Sequence, residues 1–169
     1  MLGFYENFPV NIHRTDNFTS PLSSKKLQQR LIQVLHKINR ETFSFEGIAY
    51  PTVPECTIIF EIGIAEAKSF NYIDEEETKR VLTVLRKETL RLMDFFCAVR
   101  YYKGSGEKKK PLKFDYYMMR TIFSEKTMEV QVFHERGPRY ISPEDIVAFL
   151  VNEINKTSAR RILKRVEPS

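Results

Sequence analysis

A chain of 169 residues, 42% apolar and 29% charged, is long enough to bury a core and too apolar to remain disordered. Its longest strongly apolar run, residues 56–64, is interrupted by Glu61 and falls well short of the roughly 18 residues of a membrane-spanning helix. Two cysteines make no disulfide framework, and the first residues lack a basic start followed by an apolar stretch, so a cytoplasmic protein with no membrane partner is expected.

The formal charge of +5 is unevenly spread. Residues 1–50 carry six basic and four acidic side chains, residues 51–100 seven and nine, and residues 101–169 14 and nine. The excess therefore gathers towards the C-terminus, where its clustering says more than its sum.

Phe4, Tyr5, Phe8, Val10, Ile12 and Phe18 make residues 1–19 too apolar for a free tail, and they read as an extended arm packed on the core. Ser23 then offers a hydroxyl to the first turn of a helix over residues 23–40, with Leu27, Leu31, Val34, Leu35 and Ile38 on one side. Phe43, Phe45, Ile48 and Tyr50 suggest a strand, punctuated by Pro51 and Pro54. Residues 56–68 alternate, with Ile58, Phe60, Ile62 and Ile64 on one face, and predict a long strand.

Asp74 as N-cap and Glu77 three residues on predict a second helix opened by a capping box. Val81, Leu82, Leu85, Leu92 and Phe96 extend its apolar side, so its end is expected near residues 94–97. Residues 99–103 and 112–123 read as strands of a hairpin, separated by a loop with two glycines and a proline. A tight turn at residues 124–127 leads to a strand over residues 128–135, where Met128, Val130, Val132 and His134 alternate with Glu129, Gln131, Phe133 and Glu135. Ser142, Pro143, Glu144 and Asp145 hold their favoured places at a helix start, and Ile146, Val147, Leu150, Val151 and Ile154 form its stripe. Residues 158–169 read as a short basic helix and tail.

This order predicts a single α+β domain over residues 1–169: a mainly antiparallel sheet of four to six strands, with three long amphipathic helices on one face. Strict βαβ alternation is missing, which disfavours a doubly wound nucleotide-binding fold.

Residues 104–106 read Gly-Ser-Gly, but no helix follows them and no Gly-Lys-Ser/Thr exists, so no phosphate-cradling loop is expected. His13, His36, His134, Cys56 and Cys97 show no metal-ligand spacing, and no metal or other cofactor is expected. Glu61, Glu66, Asp115 and Glu129 are candidate acid–base carboxylates, although alternation on a solvated strand face is the stronger explanation for them. Arg136 and Arg139, in a strand-to-helix connection, have the shape to grip a phosphate or carboxylate.

The strongest pattern is basic and aromatic interleaving. Arg100, Tyr102, Lys103, Lys108, Lys109, Lys110, Lys113 and Tyr117 fall on one hairpin, where lysines would meet phosphates and tyrosines would stack on unpaired bases. The competing account is an ordinary hairpin with solubilising lysines at its tip. The chain therefore reads as a non-enzymatic binding or assembly module whose partner is nucleic acid or another protein. Its aromatic N-terminus and unavoidable sheet edges make a homodimer an added expectation. The alternative is a small-molecule-binding protein or enzyme with a pocket between sheet and helices, using Glu61, Glu66, His134 and Arg136.

Overall fold

A computed structural model describes residues 1–49, 55–104 and 106–167. Tyr50 and the two prolines that follow it, Ser105 of the Gly-Ser-Gly loop, and the last two residues of the expected tail lie outside the described residues.

The elements run β1 (Arg14–Thr19), α1 (Ser24–Asn39), β2 (Thr42–Ser44), β3 (Cys56–Glu66), β4 (Ser69–Tyr72), α2 (Glu75–Lys87), β5 (Leu92–Lys103), β6 (Lys110–Pro111), β7 (Asp115–Ser124), β8 (Thr127–Arg136), α3 (Pro143–Asn155) and β9 (Lys164–Arg165). The class is α+β, with three α-helices and a nine-stranded sheet in the order β2-β3-β5-β7-β8-β1-β9, β4 adding to β3 and β6 to β5. Every pairing among the described residues is antiparallel. Nine strands exceed the expected four to six because β2, β4, β6 and β9 are two to four residues long, too short to carry a readable period.

The helix starts follow their capping chemistry. The side chains of Ser23, Asp74 and Ser142 accept from the backbone N–H of Lys26, Glu77 and Asp145, at 3.2, 2.9 and 3.1 Å. The capping box at Asp74 is only half formed. The Glu77 carboxylate turns instead to Arg80 at 2.7 Å and to Asn71 at 3.2 Å, and the Arg80 hydrogen bond holds its carboxyl below the usual range.

One expectation is corrected between residues 88 and 97. The helix α2 stops at Lys87, and Leu92 and Phe96 belong to β5 rather than to a helical stripe. A spacing of four satisfied a helical period, but β5 pairs with β3 on one side and β7 on the other over most of its length. Those two ladders outweigh a local pattern that a buried strand can imitate. Residues 158–167 are likewise not a helix. They form turns ending in β9, which pairs with β1. Ile162 and Leu163 are buried there, and Arg165 reaches the buried Asp16 carboxylate, which Arg14 also holds.

The core lies between the sheet and the helices. Ile58, Phe60, Ile62 and Ile64 of β3, Phe95, Cys97, Val99 and Tyr101 of β5, and Met128, Val130 and Val132 of β8 all point to it. They meet Leu31 and Leu35 of α1, Leu85 of α2 and Leu150 of α3 in one cluster. The helix α1 packs on β3, α3 packs on β8 and β1, and α1 touches both other helices, so the three form one layer.

Candidate nucleic-acid interface

Among the described residues, no helix packs on the second face of the sheet. Alternation sends Ile59 and Glu61 of β3, Phe96, Ala98, Arg100 and Tyr102 of β5, and Tyr116 and Arg120 of β7 to this side, and all are half-buried.

The N-terminal arm crosses one end of this face. The Gly3 N–H donates to the Ala65 carbonyl at 2.7 Å, and the Gly3 carbonyl accepts from the Asp94 N–H at 2.6 Å. The Tyr5 N–H donates to the Asp94 carboxylate at 2.8 Å. Arg120 grips the same carboxylate with two nitrogens, at 2.7 and 2.9 Å. The Phe8 and Phe4 rings lie 4.4 and 5.7 Å from the Arg120 guanidinium. The arm thus buries an ion pair on a face that no helix covers, and Asp94 has no exposed surface.

Beyond the arm the face is aromatic and cationic. Phe114 lies 6.3 Å from Tyr116, Tyr116 lies 5.8 Å from Phe96, and Phe96 lies 5.5 Å from Phe70, measured between ring centroids. The Arg100 guanidinium lies 5.5 Å from both the Tyr102 and Phe114 rings, and its Nη1 donates to Glu61 at 2.7 Å. Arg100 Nε is buried without a hydrogen-bond partner among the described residues. The Arg136 guanidinium lies 4.6 Å from the centre of the Tyr116 ring.

Arg136 reaches this face through a bulge. Tyr117 pairs with His134 and Tyr116 with Arg136, so Glu135 is the extra residue on β8. Strict alternation would put His134 and Arg136 on the same side. The bulge leaves His134 on the helix side and delivers Arg136 to the open one.

The predicted hairpin residues divide. Arg100 and Tyr102 lie on the open face, and Lys103, Lys108, Lys109, Lys110 and Lys113 are exposed around the hairpin tip. Among the described residues no carboxylate forms an ion pair with any of these five lysines. Tyr117 is a correction. It points into the core with no exposed surface, and its hydroxyl donates to the Ile141 carbonyl, so it has no face to offer a base. Phe70, Phe96, Phe114 and Tyr116 are instead half-buried and form a row of neighbouring rings. Alternation backwards from Arg100 marks Phe96 as well once β5 is read as a strand from Leu92 onward.

Arg136 and Arg139 are both exposed, but they do not share a role. The Arg139 backbone has a φ of 64°, and its N–H donates to the Asp115 carboxylate at 2.6 Å. That carboxylate, fully buried, also accepts from the Tyr101 hydroxyl at 2.6 Å and the Tyr140 N–H at 2.9 Å, and lies 2.8 Å from His134 Nε2. The arrangement ties the loop before α3 to the sheet.

The four groups of the expected pocket stay apart. Glu61 pairs with Arg100, Glu66 pairs with Arg80 at 2.6 Å, and His134 faces the helices beside Asp115. Three strand spacings, about 14 Å, separate β3 from β8. Cavities of about 450 Å³ beside Phe43 and Phe149, and of about 520 Å³ beside Pro21 and Ile162, include none of the four. The carboxylates Asp115 and Glu129 fall on opposite faces of the sheet, with Glu129 opposite Ile122. Burial pushes the thiols of Cys56 and Cys97 up, away from nucleophilic use. Among the described residues no three His, Cys, Asp or Glu side chains converge as metal ligands, and no helix is long and apolar enough to cross a membrane.

Compared with family models, curated proteins and solved structures, the chain matches none of them.

Proposed function

We propose that this chain is a non-enzymatic binding module that takes single-stranded nucleic acid on the helix-free face of its sheet, with the lysine tip of the β5–β7 hairpin on the phosphates. The observation that carries this reading is the row of half-buried aromatic rings on the helix-free face, flanked by Arg100, Arg136 and five lysines. Exposed aromatic faces stack on bases, at about 1–3 kcal/mol per base, and every base offers such a face. Lysines without acidic partners neutralise phosphates and release counterions. The charge and the chemistry of the surface thus complement an unpaired polyanion. Two buried thiols fit a reducing compartment, so the reading places the chain in the cytoplasm. It requires no second copy of the chain.

The test is fluorescence anisotropy with labelled oligothymidylate at several salt concentrations. Binding should weaken steeply with salt, each phosphate contact adding roughly 0.7 to the log–log slope. Changing Lys108, Lys109 and Lys110 together to Ala should reduce that slope by about 2 if all three engage. Phe114→Ala should weaken binding by about 1–3 kcal/mol with little change of slope. Absence of binding at low salt would refute the reading. Light scattering on the same sample reports whether a species heavier than 20.0 kDa exists and tests the expected dimer.

A further inference from the structure

We infer that the open face seats about four consecutive unpaired nucleotides, one splayed base to each step of the row Phe114, Tyr116, Phe96 and Phe70, with the Tyr116 step reading its base through the Arg136 guanidinium. The inference rests on the reading of the face as a nucleic-acid surface and gives that surface a length, a direction and an end.

Spacing is the first argument. Neighbouring rings in the row are 6.3, 5.8 and 5.5 Å apart. Bases in a continuous stack repeat at about 3.4 Å along each strand. No stacked column can place successive bases over successive rings. Orientation is the second argument. The ring planes turn by 48°, 37° and 43° from one to the next, so bases lying flat on them cannot stay parallel to one another. Each base must leave its neighbours and settle on its own ring. A duplex, whose bases are covered on both faces, has nothing to offer such a row.

The ends of the row differ. At the Phe114 end stand Arg100, with Tyr102 beyond it, and the lysine tip, so the backbone enters there. At the other end the Tyr5 ring lies 4.7 Å from Phe70, in the place that a fifth base would take. Tyr5 is not a loose lid. Its N–H is held by Asp94, and the Gly3 N–H and carbonyl are both engaged by the sheet two residues earlier. The arm therefore terminates the platform.

The Tyr116 step has its own character. Arg136 lies over the ring at 4.6 Å and is itself exposed. A guanidinium plane is a stacking surface for a base, as an aromatic ring is. Its charge remains available to a neighbouring phosphate. Arg136 thus acts by its shape as much as by its charge, and a lysine there would supply only the charge.

The experiment is an anisotropy series on the full chain with oligothymidylates of increasing length, a duplex competitor, and the variants Phe96→Leu and Arg136→Lys. Both variants keep bulk or charge, and circular dichroism and thermal melting confirm that they fold. Affinity should rise steeply up to about four nucleotides and then only slowly. The duplex should compete at least about ten-fold more weakly than the single strand. Phe96→Leu should weaken binding by about five-fold or more, and Arg136→Lys by a similar factor with the salt slope unchanged. Affinity that keeps rising steeply beyond about six nucleotides, a duplex that competes equally, or an Arg136→Lys chain that binds as well as wild type would overturn the inference and leave the general reading standing. Absence of binding to every oligonucleotide would instead remove the general reading itself.

Discussion

The fully buried carboxylate of Asp115 lies 2.8 Å from Nε2 of His134, across the β7–β8 ladder. The same carboxylate accepts from Tyr101 on β5 and from the backbone N–H groups of Arg139 and Tyr140. Four partners from three separate stretches of chain converge on one side chain with no exposed surface. Its four partners satisfy an acceptor that burial would otherwise make costly. The site therefore acts as an anchor for the loop between β8 and α3, and through that loop it fixes where β8 ends.

Removing the anchor should be expensive. Asp115→Ala leaves the buried Tyr101 hydroxyl and the N–H groups of Arg139 and Tyr140 without their acceptor. The expected loss is about 2–5 kcal/mol, since each buried polar group left without its partner costs about 1–3 kcal/mol. Urea denaturation would measure it, and a loss below about 1 kcal/mol would contradict the assigned role.

Gly137 stands against the same anchor. Its φ is 114°, and a Cβ there would clash with the Phe114 carbonyl oxygen and come within 2.5 Å of an Asp115 carboxylate oxygen. Gly137→Ala should therefore cost about 2–4 kcal/mol, from backbone strain together with the clash. Gly47 is the internal control. Among the described residues an added Cβ there meets only Ser44 Oγ, at 3.9 Å, so Gly47→Ala should change stability by less than about 1 kcal/mol. Equal effects at the two positions in a denaturation assay would exclude this explanation.

Alkali should act through two tyrosines. Burial raises the Tyr101 and Tyr117 phenols above their usual value of 10.0, with Tyr117 adding to the shift of Tyr101 and Asp115 to that of Tyr117. A folded pKa above the unfolded one means that the stabilisation is complete below pH 10.0 and falls as pH rises past it. Of the eight tyrosines, these two should remain silent in the ultraviolet tyrosinate titration until the chain unfolds, and then ionise together. Replacing Tyr117 with Phe should remove one tyrosine from that late step. Smooth titration of all eight near their usual value would show that the two phenols are not buried.

Much of the architecture was legible because local chemistry and long-range packing agree over it. The three helix starts are written in Ser23, Asp74 and Ser142, whose side chains satisfy first-turn N–H groups whatever packs above them. The strands β3, β7 and β8 alternate over much of their length, which sets both their type and their buried side. The lysines at the hairpin tip are exposed in the fold as their composition suggests.

What local chemistry could not decide was settled by partners distant in sequence. Leu92 and Phe96 fit a helix as well as a strand, and only the flanking ladders of β3 and β7 make β5. A single extra residue, Glu135, reverses the side on which Arg136 emerges, and a bulge has no signature in the alternation it interrupts. Tyr116 and Tyr117 are chemically equivalent neighbours, yet one lies under Arg136 on the open face and the other is sealed in the core. The row from Phe114 to Phe70 draws on three strands and is ended by a residue of the arm. By itself the sequence determined which residue types are available and which faces alternate. Tertiary pairing decided which rings share a surface, because the distance between strands is set by backbone hydrogen bonds across the sheet and not by separation along the chain.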